Sequence, residues 1–162
     1  MRALLQRVLN GEVRVAGNSV AQIGEGYVIL LGVRKGDTEE SAKELAERCS
    51  NMRLFQDDHG KMNLSVREID GSVLVVSQFT LYADTRRGNR PGFSDAAPHE
   101  LAQPLYLAFV DHLKHLLGPS KVATGVFKEM MEVTIVNNGP VTIMLDDRAS
   151  ASLPSSSLEI NP

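Results

Sequence analysis

Met131-Glu-Val-Thr-Ile-Val136, then Asn137-Asn138-Gly139-Pro140, then Val141-Thr-Ile-Met-Leu145, is the stretch on which the reading of this chain turns. Both flanks are rich in β-branched residues and read as strand. Proline cannot donate to a β-ladder and does not belong inside a central strand. The glycine before it carries no side chain and leaves bare backbone. The expectation is a sharp, rigid turn that presents carbonyl and amide groups, suited to a site that tests the shape of a small ligand. On spacing alone the simpler reading is a β-hairpin turn with an Asn-Gly start.

Moving outward, Ser72-Val-Leu-Val-Val-Ser77 is apolar enough for a buried central strand, and Ser77-Gln78-Phe79-Thr80-Leu81 closes it. Amides and small polar side chains at a strand end are available to a ligand, although Ser and Thr there often only satisfy local backbone. Upstream, Met1 to Val8, Glu12 to Val15, Ser19 to Ile23 and Tyr27 to Val33 read as short strands broken by Gly11, Gly17, Gly24 and Gly26. Asp37 and Glu40 read as a capping box. The helix after it sets Ala42, Leu45, Ala46 and Cys49 on one face. Segments 56–60 and 70–71 are loops. Ala83 to Pro98 is a long polar loop with three arginines, a length that usually signals function. A second helix runs from about Pro98 to Leu117, with Leu101, Leu105, Ala108, Phe109, His112 and Leu116 on one side, Pro104 inside it and Gly118-Pro119 ending it. Lys121 to Val126 and the two flanks of Gly139-Pro140 are the last strands. Arg148 to Pro162, rich in Ser with Pro, is expected to be a disordered tail.

A chain of 162 residues, 43% apolar and 23% charged, fits one soluble globular domain. Its net charge of −3 does not advertise nucleic-acid binding, so an RNA partner would need a local basic patch. The single Cys49 excludes an internal disulfide and fits a reducing compartment, here the cytoplasm. The opening residues do not form a signal peptide, and no apolar run reaches membrane-spanning length. His112 and His115 with Asp111 have spacing a metal could use, but no further ligand is evident, so they read as a solvated helix face.

Ser77-Gln-Phe-Thr-Leu81 followed about sixty residues later by Asn-Gly139-Pro140-Val-Thr142 resembles the D-aminoacyl-tRNA deacylase family closely. Met1-Arg-Ala-Leu-Leu-Gln-Arg-Val8, Gly26-Tyr-Val-Ile-Leu-Leu-Gly-Val33, Asn51-Met-Arg-Leu-Phe55 and the block from Ala83 to Phe93 are similar to other parts of that family. The resemblance spans roughly Met1 to Asp146. It implies an α/β chain of the α+β type, a single domain over 1–147 with β-barrel-like sheets flanked by two main helices. It implies a homodimer in which each Gly-Pro motif enters the partner's site, a tRNA substrate, and no metal or cofactor.

The implied reaction is hydrolysis of the ester between a D-amino acid and the terminal adenosine of tRNA. That ester is already activated, so position and carbonyl polarisation matter more than a strong nucleophile. By resemblance, the amides of Phe79 and Thr80 hold the ester carbonyl while Ser77 and Gln78 orient the substrate. Attack by the Thr80 hydroxyl stays open, although no base stands beside it in sequence. Gly139 and Pro140, expected cis by resemblance, wall off L side chains, so a broad D-series and glycine should pass. Arg7 is placed behind that motif, Phe127 and Met131 near the pocket, and Arg86, Arg87 and Arg90 on acceptor-stem phosphates. A sister family that removes L-alanine carries Pro-Gln-Ala-Thr and Gly-Pro-(Tyr/Phe)-Thr-His. Ser77, Phe79, Val141 and Ile143 stand here instead. The alternatives are a non-catalytic tRNA-binding dimer and a hydrolase of other aminoacyl esters.

Overall fold

The computed structural model describes residues 1–147. The segment 148–162, expected to be a disordered tail, lies outside the described residues. Eight strands and two α-helices follow in the order β1 (Arg2–Val15), β2 (Asn18–Ile23), β3 (Gly26–Gly32), α1 (Glu39–Asn51), β4 (Phe55–Gln56), β5 (Met62–Leu64), β6 (Ser72–Ser77), α2 (His99–Leu117), β7 (Val122–Thr124) and β8 (Glu132–Asp146). Two short 3₁₀ helices, Phe79–Tyr82 and Pro119–Lys121, fill the connections.

One mixed sheet has the order β2-β1-β3-β6-β7, with β8 on the other side of β1. Here β3, β6 and β7 run parallel, and β1 is antiparallel to β2, β3 and β8. The first half of β1 pairs with β3 and its second half with β2, so β1 turns the sheet's corner. That bend curls the sheet into a nearly closed barrel-like form. Strand β3 is buried on both faces, as a strand of a covered parallel sheet should be. Tyr27, Ile29 and Leu31 pack under the helices with Leu45, Phe109 and Leu113. The alternate residue Val28 joins Val8, Val13, Leu74 and Val76 inside the curl. Each fully buried aliphatic side chain stabilises the fold by about 1.5–3 kcal/mol.

Four expectations are corrected. Gly11 does not break the first strand: β1 runs through it. A Cβ there would lie 2.7 Å from Val28 Cγ2, so glycine lets the curled strand close on its neighbour. Thr38, not Asp37, caps α1. Thr38 Oγ1 accepts the Ser41 N–H at 3.2 Å, while the Asp37 carboxylate accepts from the Arg34 N–H at 2.6 Å and the Met1 α-ammonium at 2.8 Å. The buried face of α2 is Ala102, Tyr106, Phe109, Val110 and Leu113. Leu101 is exposed, and His112 turns to Glu47 at 3.3 Å. Finally, Gly139-Pro140 is no hairpin turn. Both flanks belong to β8 and pair with the same strand, β1.

Candidate active site

Gln6 pairs with Thr142 and Val8 with Asn137, so residues 138–141 stand opposite Arg7 alone. The motif is thus a wide bulge in an edge strand, a place where proline is tolerated. Gly139 (φ 139°) and Pro140 are exposed, and the peptide between them is cis. A Cβ on Gly139 would meet Val141 Cγ2 at 2.7 Å and the Val141 nitrogen at 2.9 Å, so only glycine fits without rearrangement.

Two side chains hold the bulge. Arg7, only 7% exposed, donates from Nε to Asn138 O (2.9 Å) and from Nη1 to Leu54 O (2.5 Å). Its fork therefore ties the bulge to the segment after α1. Asn137 spans the bulge from within: Oδ1 accepts the Val141 N–H at 2.8 Å, and Nδ2 donates to Val141 O (3.3 Å) and Thr142 Oγ1 (3.1 Å). The sequence reading quoted Asn137 and gave it no task. Its position two residues before Gly-Pro, with a side chain able both to donate and to accept, was the available signal.

The Ser77–Thr80 segment is built differently. β3, β6 and β7 are parallel, so Gly32, Ser77 and Thr124 end at one edge of the sheet. Carboxyl ends of parallel strands are where α/β sheets receive ligands. The Gln78 N–H donates to Leu31 O at 2.8 Å, and the Leu81 N–H donates back to Gln78 O at 3.3 Å. The amides of Phe79 and Thr80 lie between them, at the start of a 3₁₀ helix where N–H groups lack intrahelical acceptors. Phe79 and Thr80 are exposed, and Gln78 Nε2 hydrogen-bonds Thr80 Oγ1. Arg2 staples the helix from below: Nη1 donates to Leu81 O (3.2 Å), Nε pairs with Asp146 (2.7 Å), and the guanidinium lies 5.2 Å from the Tyr82 ring centre. Burial pushes the Tyr82 phenol well above its ordinary value.

Phe127 and Met131 border this edge. Phe127 packs on Tyr106 (5.5 Å) and His99 (6.0 Å). Met131 lies over Gly125, whose N–H donates to Val75 O. Arg86, Arg87 and Arg90 are exposed in the loop that follows. Arg86 is paired with both oxygens of Asp84 at 2.9 Å, and this contact holds the Asp84 carboxyl well below the usual range. Asp84 and Gly92 exchange two backbone hydrogen bonds, 2.7 and 2.8 Å, which fold the loop back and bring Phe93 to Phe79, ring centres 5.0 Å apart. In the sequence Phe93 marks only the end of the Ala83–Phe93 block, with nothing to place it beside Phe79.

The two motifs do not meet within one chain. Ser77 is level with Leu31 and Ala3, whereas the bulge is level with Arg7 and Tyr27. Along the sheet that is about 13 Å down the strands and about 15 Å across them.

Fold and site together define a small barrel-like α+β protein that presents bare main chain at two separated places. Residues 4–146 match the family described as D-Tyr-tRNA(Tyr) deacylase. A D-aminoacyl-tRNA deacylase of Roseiflexus castenholzii is 56% identical over 146 residues, 90% of this chain and 92% of that protein. One from Desulforudis audaxviator is 55% identical over 148 residues, 91% and 98% of the two chains. A solved structure named c-Myc DNA Unwinding Element Binding Protein has a TM-score of 0.87 at 37% identity, over 91% of this chain and 99% of its own. A probable eukaryotic D-amino acid tRNA deacylase shares the fold, with a TM-score of 0.79 at 18% identity over 90% and 98%. The chain belongs to the D-aminoacyl-tRNA deacylase family and is a hydrolase, which sets aside the non-catalytic reading.

Proposed function

We propose that the chain hydrolyses D-aminoacyl-tRNA by backbone chemistry, in a site that two copies complete together. Water adds to the acyl carbon, the ester C–O bond breaks, and the ribose oxygen leaves with a proton, giving free D-amino acid and tRNA. The amides of Phe79 and Thr80 hold the developing oxyanion, with Ser77 and Gln78 orienting the substrate. The neighbouring ribose hydroxyl activates the water. Gly139 and Pro140 of a second copy face the α-carbon and exclude an L side chain by clash, leaving D side chains and the hydrogen of glycyl-tRNA unhindered. Arg7 fixes that wall, and Phe127 and Met131 line the pocket. Arg86, Arg87 and Arg90 take acceptor-stem phosphates. The role is chiral proofreading in translation, carried out by a homodimer of the 1–147 domain in the cytoplasm, a location that fits a lone, fully buried Cys49.

The observation that carries this reading is the exposed Gly139–Pro140 bulge, braced by Arg7 and Asn137 yet remote from Thr80 along its own sheet. A braced, exposed stretch of main chain supports use against something outside its own chain. Subunit mixing tests it. Phe79→Pro and Gly139→Ala are each expected to be inactive on D-tyrosyl-tRNA. Unfolding and refolding them together in equal amounts should restore about a quarter of wild-type activity, because half the dimers then hold one intact site. Sites built within single chains would recover nothing.

A further inference from the structure

Beside the 3₁₀ helix Phe79–Tyr82 lies a cleft of about 500 Å³ with Leu81, Tyr82 and Ala83 in its wall. That size suits a small polar ligand. Its charged lining is Arg2, Arg34 and Arg86 against Asp84 and Asp95. Arg87 and Arg90, in the same loop as Arg86, and Asp146 and Asp37, which meet Arg2 and the Arg34 N–H, bring the local count to five arginines against four aspartates, on a chain whose net charge is −3. At the cleft's neighbouring helix, Phe79 (55% exposed) and Phe93 (37% exposed) pack edge to face. Exposed aromatic faces beside a basic groove are how proteins hold single-stranded nucleic acid without reading its sequence.

We infer that this cleft and aromatic pair seat the unpaired 3′ strand of tRNA, with the phosphodiester preceding the terminal adenosine held by Arg34 and the base of the preceding nucleotide lying against the edge-to-face pair of Phe79 and Phe93. The assignment rests on the deacylase reading and adds Arg34 and Phe93 to it. Each part of the cleft is fixed for the task. Arg34 stands on main chain anchored by its N–H to Asp37 and by a β-bridge to Ala96. Arg2 is locked between Asp146 and Leu81 O and sets the floor. Asp84 occupies two of the five N–H groups of Arg86 and leaves the guanidinium at the rim, its side chain 78% exposed. Since the cleft borders Leu81 directly, a strand whose last ribose sits at Thr80 has its previous phosphate within reach of it. This seat explains how a chain of negative net charge selects an RNA end: the basic surface is local and lies next to the reacting ester.

The test compares two esters, 3′-O-(D-tyrosyl)adenosine and the D-tyrosyl ester of the trinucleotide CCA. Wild type should hydrolyse the trinucleotide ester with kcat/KM at least about tenfold higher, the size of effect one charge-assisted phosphate contact gives. Arg34→Gln should remove about that tenfold on the trinucleotide, leave the adenosine ester unchanged, and lower the slope of log kcat/KM against log salt by about 0.7. Phe93→Leu should raise KM for the trinucleotide and leave kcat unaltered. Unchanged adenosine-ester hydrolysis also reports that each variant is folded. Equal rates on the two esters in wild type, or an equal loss on both in Arg34→Gln, would overturn the cleft assignment while the deacylase reading stands. If wild type hydrolyses neither ester, the deacylase reading fails and the cleft assignment with it.

Discussion

The Gly139–Pro140 bulge and the Ser77–Thr80 turn are both strand-borne segments of exposed main chain, yet they are held in different ways. The bulge is braced by side chains: Arg7 reaches Asn138 O from β1, and Asn137 brackets Val141. The turn hangs first on backbone, through the Gln78 N–H to Leu31 O and the Leu81 N–H to Gln78 O, with Arg2 reaching only the far end of the short helix at Leu81 O. The contrast fits the two tasks proposed for them. A wall that rejects by shape must not yield, so its polar groups are satisfied and its position fixed. A pocket for developing negative charge must keep donors unspent, so the Phe79 and Thr80 amides sit where the short helix has no acceptors for them.

Substitutions can break that contrast, beginning with the amides. Phe79→Pro removes one N–H at a first helical position that accepts proline. It is expected to lower kcat on D-tyrosyl-tRNA by about 10²–10³-fold, whereas Phe79→Ala, which keeps the amide, should leave kcat close to wild type. If single-turnover kinetics show equal losses for the two, the amide is not the working group. Next comes Gly139→Ala, whose Cβ has no room beside Val141. A displaced wall should cost about 10²-fold on the D-ester and narrow the ratio of D- to L-tyrosyl-tRNA hydrolysis. Arg7→Ala leaves Asn138 O and Leu54 O without their donor and should cost about 3 kcal/mol in urea unfolding. Arg7→Lys should not restore it, since one ammonium cannot copy the fork; full rescue would mean that charge alone braces the bulge. The smallest effect is expected from Thr80→Ala. It keeps the amide and loses only the hydroxyl bonded to Gln78, so kcat should stay within about threefold, under 1 kcal/mol of barrier. A loss of several orders of magnitude would make the hydroxyl the nucleophile.

Legibility varied with how local the cause was. The face Ala42, Leu45, Ala46 and Cys49 of α1 follows from 3.6-residue periodicity, and all four are buried. The α2 face is right in part: Phe109 is buried and Leu105 and Ala108 pack against the core, but Leu101 is exposed and Ala102, Tyr106, Val110 and Leu113 are buried instead; periodicity cannot show which of two apolar stripes meets the sheet. Asp37 has the chemistry of a cap, but the Met1 ammonium and the Arg34 amide claim it. Gly11 signals a break in any local reading, and only the approach of Val28 explains why the strand continues through it.

The sequence by itself determined the family, both motifs, the buried strand Ser72–Ser77 and the bare backbone at Gly139, since these depend on residue type and near neighbours. Tertiary structure decided what the motifs are. Pairing of both β8 flanks with β1 turned an apparent hairpin into a bulge. Arg7 reached it across 131 residues of chain. The fold of the 83–98 loop brought Phe93 to Phe79. Such contacts join residues far apart in the chain, and their energies arise only once the sheet has set the register, so no local pattern encodes them.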